Sequence, residues 1–149
     1  MKNNKILYIV LTVLAVLALT SIAADFSGRK LTTTLTGTAE APGPGDPDGS
    51  GTVTLWLNPG QEQVCWEIQV SNITLPAIAA HIHEAPAGVP GPVVVPLFPP
   101  APDESGFSSG CMSADRELIK DIIQHPEDYY VNVHTTDFPA GAVRGQLSK

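Results

Sequence analysis

Basic residues are scarce. Eight Lys and Arg stand against fifteen Asp and Glu in 149 residues, giving a formal net charge of −7. A nucleic-acid-binding domain gathers an excess of Lys and Arg on one face, and this chain has none to gather. No hydrolytic arrangement stands out either. Ser105, Ser108 and Ser109 lie in a presumed surface loop, not on the strand-to-helix turn that a nucleophile elbow needs. Asp115, Asp121, Glu127 and Asp128 read as helix and surface acids, so no catalytic residue is assigned. The Gly141–Gly145 stretch precedes no helix and cannot cradle phosphate. No internal repeat is found.

What the chain does hold is punctuation. Fourteen prolines and thirteen glycines suit short strands joined by many turns, and 43% apolar residues can build a core. The length fits one domain.

The one long apolar run is N-terminal. Lys2 and Lys5 flank residues 6–19, and Thr20-Ser21-Ile22-Ala23-Ala24 follows as a small-residue exit. Positive flank, apolar centre and small exit make residues 1–24 a secretory signal peptide, leaving 25–149 as the exported domain. The alternative is an uncleaved anchor, since about 20 apolar residues span a bilayer; only then would a membrane be a partner. Either way the remainder is exported, periplasmic or extracellular. In such an oxidising compartment Cys65 and Cys111 are expected to form a disulfide, a free thiol pair being the alternative.

Alternation places the strands. Val53, Leu55 and Leu57 share one face of residues 51–57, while Val64, Trp66, Ile68 and Val70 share one face of residues 63–70. Further strands are expected over 31–37, 77–84, 93–98, 129–135 and 142–147. In the last of these Val143 and Leu147 point inward and Arg144 outward. Residues 41–51 and 101–110 read as loops, so the segment bearing Cys111 must cross the polar-patterned face that carries Cys65. Residues 113–124 form the one helix, capped by Ser113, with Leu118, Ile119, Ile122 and Ile123 on one side. About seven short strands point to an all-β fold, a two-sheet sandwich or Greek-key barrel with one connecting helix.

The chemistry lies in the histidines. His81 and His83 are two apart on a strand and project from the same face, about 6–7 Å apart at their Cα atoms. His134 shares the polar face of another strand with Tyr130 and Asn132. If the two strands are neighbours, three imidazoles meet, a donor set suited to copper or zinc. Glu84 or Glu67 would then supply an oxygen ligand or fix a ring tautomer, with Asn132 and Arg144 as further supporting residues. The plain alternative is that the histidines are structural, His134 holding the 137–141 turn through a backbone carbonyl.

Three stretches occur in order: Ala79-Ala80-His81-Ile82-His83 with its Pro/Gly loop and Pro92-Val93-Val94-Val95-Pro96-Leu97-Phe98; Tyr130-Val131-Asn132-Val133-His134-Thr135; and Pro139-Ala140-Gly141-Ala142-Val143-Arg144-Gly145-Gln146-Leu147. Together with Leu35-Thr36-Gly37, Glu40 and Pro42 they resemble the CHRD domain, the module named after chordin and found in many exported bacterial proteins. The resemblance covers roughly residues 30–147 and implies an immunoglobulin-like or Greek-key β-sandwich, without a settled activity. More remotely, the His-x-His pair and the Gly-x-x-Arg-Gly run are similar to features of copper/zinc superoxide dismutases, whose copper site would correspond to His81, His83 and His134. With four histidines in all, and His125 ending the helix, a two-metal centre is hard to build. The expectation is an exported structural or interaction module binding an unknown protein or cell-surface component. The alternatives are a mononuclear copper or zinc protein and, less favoured, a redox enzyme of dismutase type.

Overall fold

Eight strands pair antiparallel in a computed structural model that describes residues 26–149. The expected signal segment, residues 1–24, lies outside the described residues. In chain order the strands are β1 (Arg29–Thr36), β2 (Ser50–Asn58), β3 (Gln63–Ser71), β4 (Ala79–Glu84), β5 (Val93–Pro96), β6 (Phe107–Ser113), β7 (Tyr129–His134) and β8 (Val143–Gln146), with one α-helix, α1 (Arg116–Gln124), between β6 and β7. Their order in the sheet is β5-β4-β7-β8-β1-β2-β3-β6. Only Thr36 and Arg144 are in register at the β1/β8 junction. There the sheet folds over, so that β1, β2, β3 and β6 face β4, β5, β7 and β8 as a sandwich.

The core follows from the alternation. Val53, Leu55 and Leu57 of β2 and Val64, Trp66, Ile68 and Val70 of β3 form one buried cluster with Ile82, Val131, Val133 and Val143 from the other half. Helix α1 closes one end by burying Ile119 and Ile122. No helix among the described residues is long and apolar enough to cross a membrane.

Two expectations change. The 101–110 loop is shorter, because residues from Phe107 onward form β6 along the edge of β3. Its Ser/Gly composition hides a strand. A Cβ at Gly110 would stand 2.7 Å from the Trp66 ring, so the indole occupies the space of a side chain, and Trp66 Nε1 donates to Ser108 Oγ at 3.0 Å. Cys65 and Cys111 are therefore directly opposite on paired strands, where they form the disulfide. The helix also begins later. Its cap is Asp115, whose carboxylate accepts from the Glu117 and Leu118 amides, while Ser113 ends β6.

Candidate metal centre

Strand β4 pairs with β7 so that His81 lies opposite Asn132, His83 opposite Tyr130 and Ala79 opposite His134. With a side-chain period of two, His81, His83, Tyr130, Asn132 and His134 share the face turned away from the core. Strand β8 continues that face, Arg144 lying opposite Asn132. The pairing of β4 with β5 shifts register between Ile82 and His83, an irregularity of the kind that re-aims side chains at sites.

This face is covered, not exposed. His83 and His134 are 8% and 9% accessible, Asn132 2% and Arg144 1%. The cover is the Pro/Gly-rich loop of residues 85–92 together with the turn after β7. Arg144 ties the loop down from beneath. Its Nη1 donates to the Val89 carbonyl at 2.9 Å and its Nη2 to the Pro86 carbonyl at 3.0 Å and to Gln146 Oε1 at 3.1 Å. Its guanidinium also sits 3.4 Å above the Tyr130 ring centroid. The outward Arg144 of the alternation is thus on the predicted face but buried by the loop it anchors.

The three imidazoles converge. One ring nitrogen from each of His81, His83 and His134 falls within 4.8 Å of the other two. His83 Nδ1 is 2.8 Å from the Gly91 carbonyl and His134 Nδ1 is 3.1 Å from the Pro139 carbonyl. A carbonyl only accepts, so both Nδ1 atoms carry hydrogen and both Nε2 lone pairs are left for the site. His81 Nδ1 is 3.0 Å from His134 Nε2. Two nitrogens bound to one zinc or copper ion at 2.0–2.1 Å stand about 2.9–3.4 Å apart for angles from square to tetrahedral, so this spacing fits a shared ion. His83 also stacks on Tyr130 with ring centroids 4.7 Å apart.

Electrostatics keep these rings neutral. Burial pushes the pKa of His81 down to about 4, helped by His134 and His83. Burial likewise lowers those of His83 and His134. Neutral imidazoles offer lone pairs near pH 7 without proton competition.

The expected carboxylates are elsewhere. Glu84 lines a cleft of about 430 Å³ beside α1 with Asp121 and Tyr129. Glu67 is exposed on β3 in the other half of the sandwich. Glu40, cited from the sequence only within the resemblance, is the acid beside this face. Its carboxyl lies against Gly141, its Oε1 is buried without a hydrogen-bond partner, and burial raises its pKa to about 7 despite nearby Arg144. The carbonyls of Gly91 and Pro139 carry no side-chain signature and could not be read from the sequence.

An eight-stranded Greek-key sandwich with a histidine cluster beneath the loops of one outer face defines the class. The chain belongs to the CHRD domain family, whose domain model matches residues 31–147. No curated protein and no solved structure matches it.

Proposed function

We propose that this CHRD domain is an exported module that holds one copper or zinc ion on His81, His83 and His134. The observation that carries the reading is the convergence of three ring nitrogens within 4.8 Å. Two of those rings have tautomers set by backbone carbonyls, as outer partners of metal-bound imidazoles do. Copper is favoured over zinc on intrinsic affinity for nitrogen donors. The family and the Cys65–Cys111 disulfide are consistent with an exported protein, where extracellular or periplasmic metal is the relevant pool.

Isothermal titration of metal-free protein with Cu(II) and Zn(II) at pH 7.5, on the parent and on His83→Ala and His134→Ala, tests this. One ion per chain in the parent, with loss in both variants, supports the site. Absence of binding tighter than millimolar would return the domain to a plain interaction module.

A further inference from the structure

The histidine cluster has a fourth member that is not a histidine. Asn132 is centred within it, opposite His81 in the β4/β7 register, with Tyr130 two residues before it and His134 two residues after. Directly opposed residues on one face bring their Cβ atoms to about 4.5–5.5 Å. Asn132 is 2% accessible, and its Oδ1 is buried with no donor. His83 Nε2 is the other buried acceptor of the cluster without a partner.

The Asn132 side chain interacts with both Glu40 and His83. Its Oδ1 and His83 Nε2 are both buried without a hydrogen-bond partner. Buried acceptors in native proteins are otherwise paired, and a cation between these two would pair both.

We propose that Asn132 Oδ1 is the fourth ligand of the ion held by His81, His83 and His134, with Glu40 orienting the amide. The inference rests on the three-histidine reading and adds its consequence: an N3O donor set fills four positions. Zinc sites with four protein ligands are structural, whereas catalytic zinc sites keep one position open. A zinc ion so held stabilises the fold and does not activate water.

Cobalt(II), whose visible absorption reports coordination number and ligand type, is the probe, alongside titration with Cu(II). The parent, Asn132→Ala and Asn132→Asp are compared, with thermal unfolding of each metal-free chain as the check on folding. Expected are a four-coordinate Co(II) spectrum in the parent, an affinity loss of about 10–100-fold in Asn132→Ala, and in Asn132→Asp retained binding with a shifted spectrum. Unchanged spectra in both variants overturn the proposal, even if affinity falls, since Asn132 would then only prop His83. Should Asn132→Ala not fold, the Asp variant decides alone: an unshifted spectrum overturns ligation. A parent that binds neither ion sinks the three-histidine reading itself, an outcome distinct from these.

Discussion

His81 Nδ1 and His134 Nε2 face each other at 3.0 Å, although 53 residues separate them in the chain. Because His134 Nδ1 already donates to Pro139, its Nε2 must accept, and His81 Nδ1 must carry the hydrogen. In the metal-free protein two of the three proposed ligands are thus bonded to each other. An ion held by both atoms would replace that hydrogen bond and require the His81 hydrogen on its other nitrogen.

The first prediction concerns pH. The three rings have folded-state pKa values below 6.5, that of His81 about 4. Between these values the unfolded histidines bind more protons than the folded ones, so their contribution to stability falls as pH drops from 6.5 towards 4. Denaturant unfolding of metal-free Glu40→Gln protein, which lacks the opposing titration of that buried carboxyl, should show the decline at pH 7, 6 and 5. NMR should show His83 and His134 as Nδ1–H tautomers and His81 still neutral at pH 6. Rings titrating together near 6.5 would contradict the buried cluster.

A second prediction addresses Arg144. Its guanidinium makes three hydrogen bonds, two of them to carbonyls of the loop that covers His83. A lysine keeps the charge but cannot bridge Val89, Pro86 and Gln146 from one planar group, nor stack on Tyr130. Arg144→Lys is expected to lower stability by about 2–3 kcal/mol, the scale of lost hydrogen bonds to a buried charge. Hydrogen exchange at residues 86–91 should accelerate selectively. Uniform acceleration across the sheet would instead mean that the arginine supports the whole fold.

The disulfide supplies a third. It joins residues 46 apart, and closing a loop of that size stabilises by about 4 kcal/mol in the chain-entropy model. The Cys65→Ser/Cys111→Ser double variant should therefore unfold at markedly lower denaturant. Because β6 is an edge strand held to β3 by backbone pairing, residues 107–113 should lose exchange protection first. Thiol counting on unfolded, unreduced parent should find no free thiol.

The β4/β7 face was legible because period two is a strict rule: His81 and His83 share a side, and so do Tyr130, Asn132 and His134. That these strands would be neighbours could be stated only as a requirement, since pairing across 53 residues leaves no local mark. Burial of the face was not legible. A polar side of a strand reads as solvent-facing, and here the cover is made by backbone carbonyls of Pro86, Val89, Gly91 and Pro139, whose positions depend on loop conformation. Strand β6 was hidden for a different reason: its Ser and Gly residues look like a loop until Trp66 is placed against them. The late helix start is a choice between two competent caps, Ser113 and Asp115. Pairing of Ser113 with Gln63 in the sheet settles it.

The last prediction tests the Glu40 pocket through its wall. Gly141 has φ +144°, a backbone region that L side chains rarely adopt, and a Cβ there would fall 2.4 Å from Glu40 Oε1. Gly141→Ala is thus strained twice, and it must displace the Glu40 carboxyl. Glu40 has a folded pKa of about 7 against 4.5 unperturbed, so its contribution to stability is present below pH 4.5 and lost as pH rises through 7. The parent should carry this loss between pH 5 and 8, superimposed on the opposite slope of the histidines. In Gly141→Ala the displaced carboxyl returns towards an ordinary pKa and the loss disappears. Overall stability should fall, while the change in melting temperature from pH 5 to pH 8 becomes more positive than in the parent. Glu40→Gln, which cannot ionise, should show the same altered slope without the backbone strain. Parallel pH profiles for all three chains would mean that Glu40 is already in water and does not orient Asn132.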